Sequence, residues 1–214
     1  PANGRRNHIQ STAEAHEFYI RDVIFDWAGD RANELSVERL GGAPSRAPFS
    51  EAQNIERITA YMHKWATNTT RWNGQAMNKP VNAFDFVIDR DSDGALRGQI
   101  YILGYFDLPD DDSALLLDVA MGGAQYFIAP ITNVWGTSNA IVERNGCLNK
   151  HQARANADGS YTFVVSVNDP GVYNWLDPTD MREGILTLRW AEFAGGQPGD
   201  DFGVTSRVVA LDQL

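Results

Sequence analysis

Residues 161–190 read YTFVVSVNDPGVYNWLDPTDMREGILTLRW, and this stretch organises the rest of the chain. Two runs rich in Val, Ile and Leu, 161–167 and 185–190, enclose a polar connection that holds Asp169, Asn174, Trp175 and Asp177. Short apolar runs bounded by turn residues predict buried strands. A connection this dense in polar and aromatic side chains predicts that something is held there.

Working outward, the same signals recur. Residues 82–88, 98–107, 114–120, 125–132, 137–143 and 204–211 each read as a strand. Asn145-Gly146 and Asp158-Gly159 mark tight turns between them. That makes about eight strands with frequent turn signals, the pattern of a β-sandwich or jelly roll. No βαβ alternation and no Gly-rich phosphate loop interrupts it.

Upstream the period changes from two to about 3.6. Ile20, Val23, Ile24, Trp27 and Ala28 form one helical stripe, with Ser11 or Thr12 as cap and Glu14 in the first turn. A second helix starts at Ser50, where Ser50-x-x-Gln53 has capping-box spacing. Ile55, Ile58, Met62, Trp65 and Ala66 form its stripe, and Asn73-Gly74 predicts its end. The fold class expected is therefore mainly β: one domain over 1–214, with a helical segment (11–75) packed on a sandwich (81–214), α+β in plan. The two helices would cover an open face or edge of a sheet.

Composition narrows the function. A formal charge of −10 disfavours nucleic acid and anionic membrane surfaces as partners. A hydrophobic fraction of 43% suits a globular core, and no apolar run reaches membrane-spanning length. The single cysteine, Cys147, excludes an intrachain disulfide. The first ten residues lack the apolar core of a signal peptide, so a soluble, cytoplasmic protein is the expectation.

Most chemical motifs dissolve on inspection. Asp89-Arg-Asp-Ser-Asp-Gly94 matches half a calcium loop, but its twelfth position is Ile100, so a hairpin turn fits better. Asp110, Asp111 and Asp112 read as a solvated tip. His8, His16, His63 and His151 have no metal-ligand spacing, and neither a metal nor a cofactor is expected. Cys147 lies four residues before His151, which leaves a thiol–imidazole pair open beside a small structural residue.

The remaining constellation joins Asn133 and Trp135, then Asn149, His151 and Gln152, then Asp169, Asn174, Trp175 and Asp177, then Arg189 with Trp190. All sit at strand ends or in connections, which converge at one end of a sandwich. Tryptophan walls and a few amides and carboxylates suit a small-molecule pocket. The alternative is that Asn174 and Asp177 only brace a long turn and Arg189 only balances an acid.

These residues also carry a resemblance. Asp169-Pro-Gly-Val-Tyr-Asn-Trp-Leu-Asp177, followed by Gly184-Ile-Leu-Thr-Leu-Arg-Trp190, resembles the signature of domain-of-unknown-function family 1214. Residues 124–126 with Asn133-Val-Trp135, and Leu148-Asn149 with Gln152-Ala153, resemble two further segments, with Cys147 where serine is common. The resemblance spans 113–190. It implies a jelly-roll-like β domain, often C-terminal to a domain of family 1254, in whose place this chain carries two helices. It implies action on small or lipid-like molecules and names no reaction.

Two functions are expected. The first is a cofactor-independent hydrolase or lyase on a small apolar substrate. His151 would be its acid–base group, with Asp169 or Asp177 orienting it. Asn149, Gln152, Asn174 and Arg189 would stabilise oxygen charge, and Asn133, Trp135 and Trp175 would line the pocket. The second is a non-catalytic ligand-binding module or a homo-oligomer.

Overall fold

The computed structural model describes residues 9–214 except 13–17, 21, 23, 25, 27, 39, 42–46 and 93–94. The chain divides into two units, Pro1–Ser45 and Arg46–Leu214.

The described residues of the first unit form neither helix nor strand. This corrects the expected first helix: Ser11, Thr12, Ile20, Ile24 and Ala28 are non-helical, and Glu14, Val23 and Trp27 lie outside the described residues. Of the stripe's described residues, Ile20 and Ala28 are exposed and Ile24 is half-buried. Propensity alone rarely holds a short helix in water. Local side chains also compete for the backbone. Asp22 accepts from the Asn33 backbone N–H at 2.8 Å and Asp26 from that of Ala28 at 2.9 Å.

The second unit opens with helix α1 (Glu51–Met77). Its capping box forms as expected: the Gln53 N–H donates to Ser50 Oγ, and the Ser50 N–H donates to Gln53 Oε1 at 2.9 Å. The helix runs past Asn73-Gly74, where it was expected to end. The last turns hold because they are the ones that pack. Ala76 and Trp72 join Ile88, Leu103 and Ile185, and Asn73 Nδ2 donates to the Val134 carbonyl at 2.8 Å. That burial offsets the roughly 1 kcal/mol helix penalty of Gly74.

Nine strands follow: β1 (Phe86–Val87), β2 (Gln99–Asp107), β3 (Ser113–Ala120), β4 (Ala124–Thr132), β5 (Cys147–Asn149), β6 (Tyr161–Ser166), β7 (Trp175–Leu176), β8 (Glu183–Phe193) and β9 (Gly203–Ala210). They form a five-stranded sheet, β1-β2-β8-β4-β5, and a four-stranded sheet, β7-β6-β3-β9. All pairs are antiparallel except β6 with β7. Residues 137–143 do not form the expected strand; a single bridge joins Ser138 to Thr132 and the rest is turn. Asn133 starts that turn by accepting the Trp135 and Thr137 N–H groups, each at 3.0 Å, which ends the β4 ladder.

The sheets meet face to face over one core. Phe127, Phe106, Leu186, Leu188 and Trp190 come from one sheet and Leu115, Leu117, Phe163 and Val165 from the other. Phe127 sits 5.5 Å from Phe163 and 5.0 Å from Trp190, ring centre to ring centre. Gly184 allows close packing here, since a Cβ would come within 2.8 Å of the Thr132 carbonyl oxygen. Mainly β, two sheets and one helix is the architecture of the described residues.

Candidate functional site

The expected site residues divide among several places. Asn149 and Arg189 lie in one row of the five-stranded sheet, where Asn149 pairs with Ile128, Ile128 with Arg189 and Arg189 with Tyr101. The Arg189 guanidinium stands 5.7 Å from the Tyr101 ring centre, and its buried Nε has no hydrogen-bond partner. Cys147 is in the same strand as Asn149. Burial pushes its thiol up to about 11, against the opposing charge of Arg189. A thiol so disposed stays protonated at neutral pH, the reverse of an activated nucleophile.

Next to that row, Asn149 organises its own turn. Its Oδ1 accepts the His151 and Gln152 N–H groups at 2.9 Å each, and Gln152 Oε1 accepts the Asn149 N–H at 3.0 Å. His151 and Gln152 sit exposed on this turn. Asn133 is spent in a turn as described, and Trp135 is 67% exposed rather than a pocket wall. Trp190 is wholly buried in the core between the sheets.

Asp169 and Asp177 serve the backbone. Asp169 Oδ1 accepts the Gly171 N–H at 2.8 Å, in a turn where Gly171 takes φ 72°. Asp177 is 3% exposed; its Oδ1 accepts the Thr179 N–H at 2.7 Å and its Oδ2 meets Arg144 Nη1 at 3.0 Å. Arg144 reaches on to Asp180 at 2.7 Å. It clamps a turn in which Thr179 and Asp180 are both left-handed, at φ 59° and 61°. Two non-glycine residues in that region cost about 1–2 kcal/mol each, and the clamp offsets part of that. Sequence reasoning missed Arg144, which lies 33 positions from its buried partner.

Asn174 and Trp175 belong to the other sheet. Trp175 pairs with Val164 and its Nε1 donates to the Ser166 carbonyl at 2.9 Å. Asn174 is 7% exposed and has three bonds: Oδ1 accepts the Arg154 N–H at 2.8 Å, and Nδ2 donates to the carbonyls of Arg154 at 2.8 Å and Thr162 at 3.0 Å. It ties the 154 loop to β6.

That tie builds a groove. A hollow of about 350 Å³ lies on the four-stranded sheet, floored by Leu116, Val164 and Val172 and rimmed by Asn156, Thr162 and Arg154. Arg154 stands 4.3 Å over the Tyr173 ring, and both side chains are exposed. Among the described residues no carboxylate pairs with Arg154. Sequence reasoning missed Arg154 and Tyr173; the one available signal was Tyr173 inside the motif, adjacent to Asn174. Among the described residues no cluster of three or more His, Cys, Asp or Glu could hold a metal, and no helix is long and apolar enough to cross a membrane.

No family model matches the chain, and no curated protein matches it. Among solved structures, an uncharacterised protein from Burkholderia cenocepacia is similar over 68% of this chain, at 31% identity and a TM-score of 0.60. A protein from Vibrio parahaemolyticus is similar over 78%, at 14% identity and a TM-score of 0.40. The chain spans 39% of the first protein's length and 47% of the second's. The Burkholderia likeness supports the β-rich fold.

Proposed function

We propose that the second unit is a ligand-binding module for a small amphiphilic anion, a carboxylate on an apolar body, held in the Arg154–Tyr173 groove. One observation carries this reading. The polar groups of Asp169, Asn174, Trp175 and Asp177 are spent on backbone and on Arg144, whereas Arg154 offers an exposed guanidinium above an apolar floor. A planar guanidinium matches a carboxylate in two parallel bonds, and stacking on Tyr173 pre-orients it. Leu116, Val164 and Val172 would take the apolar body. The hydrolase or lyase reading needs His151 to share a proton with Asp169 or Asp177. The hydrogen bonds of both acids described above go to Gly171, Thr179 and Arg144, so binding without turnover is the better-supported function.

The jelly-roll arrangement and kinship with family 1214 belong to the same proposal. Connections that cross between sheets, from β2 to β3, β3 to β4, β5 to β6, β7 to β8 and β8 to β9, support the first. The sequence motifs at 169–177 and 184–190 support the second.

Titration of the isotope-labelled chain with octanoate and benzoate, followed by amide NMR, tests the function. Shifts should cluster at Arg154, Val164 and Tyr173. Arg154→Ala should weaken binding at least tenfold, about 1.4 kcal/mol or more, and octanamide should bind as weakly. Shifts elsewhere, or equal binding of acid and amide, would refute the assignment.

A further inference from the structure

Helix α1 carries Ile55, Ile58, Met62, Trp65, Trp72 and Ala76, with Thr69 filling the one gap in a strict alternation of three and four residues. That alternation averages 3.5 residues, the period of a coiled-coil seam. One end of the seam is used within the protomer, where Trp72 and Ala76 pack with Leu103 and Ile185. The other end is bare. Ile55, Ile58, Met62 and Trp65 are each between 58% and 65% exposed. An apolar stripe of this kind on a folded surface marks an interaction site.

We propose that the turns of α1 from Ile55 to Trp65 pair antiparallel with the same turns of a second copy of this chain. Charge selects the partner. The positions flanking the seam are Ala52, Thr59 and Ala66 on one side and Asn54, Tyr61 and Asn68 on the other, all uncharged. Glu56, Arg57 and Lys64 lie further round the helix. In a chain of net charge −10, a seam flanked by uncharged positions can meet an identical copy without repulsion. Shape selects the direction. Pairing centred on Ala60 sets Ile55 against Trp65 and Ile58 against Met62, a branched side chain against a long one each time. A parallel partner would crowd both sandwiches at one end, because each sheet holds its own Trp72 and Ala76. The bare seam is about 15 Å long at 1.5 Å per residue. It covers less than the roughly 800 Å² per partner of a standard interface, so the dimer should depend on concentration across the micromolar range.

Light scattering of the full chain, from low micromolar to millimolar, tests this. The mass should rise toward twice the chain mass, and Ile58→Lys with Met62→Lys should return it to one chain mass without lowering the melting temperature. A single chain mass at every concentration, or a dimer that survives the double substitution, would overturn the proposal. Direction is read by disulfide trapping in a Cys147→Ser background. A mixture of Ile58→Cys and Met62→Cys should cross-link about tenfold more than either alone, by effective concentration. Cross-linking of each variant chiefly with itself would overturn the antiparallel arrangement. A monomer whose Trp65 fluorescence resists acrylamide quenching would also overturn it, by assigning the seam to another part of the chain.

Discussion

Two polar patches lie next to each other in this sandwich and behave in opposite ways. Asn174 and Asp177 are almost wholly buried, and the structure gives each of them several hydrogen bonds. Arg154 and Tyr173, tied to this region through Asn174, stand exposed to solvent with the guanidinium stacked over the ring. The difference teaches that a density of polar residues in a connection is no measure of binding. Buried polar groups survive only when bonded, so the residues that look most functional in the sequence are those already committed to the fold. Availability is what marks a site, and availability is set by which side of the sheet a residue reaches.

Asn174 offers the strongest way to break this contrast. Asn174→Ala removes three hydrogen bonds and leaves the half-buried Thr162 carbonyl and both Arg154 backbone groups without their partner. With about 1 kcal/mol per lost bond, stability should fall by about 3 kcal/mol in urea denaturation. Octanoate binding should weaken as well, since the 154 loop loses its anchor. Stability equal to wild type together with lost binding would make Asn174 a ligand contact, and the two patches would be one site.

Asp177→Ala comes next. It strips the Thr179 N–H of its acceptor and removes the buried member of the Arg144 clamp. The expected loss is about 2 kcal/mol. Arg144 is partly in solvent and keeps Asp180, so the ion pair itself adds little. Ligand affinity should not change. A variant of native stability that fails to bind octanoate would restore the reading of Asp177 as a site residue.

Legibility follows the same line between local and distant causes. The capping box at Ser50 and the long strands β2, β3, β4, β6, β8 and β9 were readable, because periodicity and turn chemistry act over a few residues. Strands β5 and β7 are three and two residues long, too short for alternation to mark them. They exist because β4 and β6 offer edges. Residues 137–143 have a strand's composition, yet Asn133 closes a turn upstream of them. The first helix had a stripe, but Asp22 and Asp26 hold the backbone of Asn33 and Ala28 instead. Of the site, Asn174 and Trp175 could be named but not their roles, since Asn174 serves Arg154 twenty positions away. Arg189 could be named as an acid's partner; it stands instead over Tyr101.

Asp118 is the smallest lever on the comparison, and it touches the groove through Thr162. Its Oδ1 accepts from Thr162 Oγ1 at 2.7 Å and its Oδ2 pairs with Arg207. Partial burial raises its carboxyl, but hydrogen bonds from Arg207 and Thr162 and the Arg207 charge outweigh that and hold it below the usual carboxylate range. The sign follows by linkage. A carboxylate lowered on folding contributes stability above its unfolded pKa and loses it as pH falls through the folded one. Because the pair is over a third exposed, solvent screening holds the contribution under about 1 kcal/mol. Wild type should therefore lose slightly more stability than Asp118→Asn between neutral pH and acid, and the gap between their melting temperatures should close below the usual carboxylate range. Thr162 touches both Asp118 and Asn174, so acid should also loosen the groove before it unfolds the sandwich. Octanoate itself protonates in that range, so a phosphonate or sulfonate of equal length has to report the loss. Affinity for the sulfonate that holds steady through the acid limb would separate Asp118 from the groove and confine its effect to the sheet.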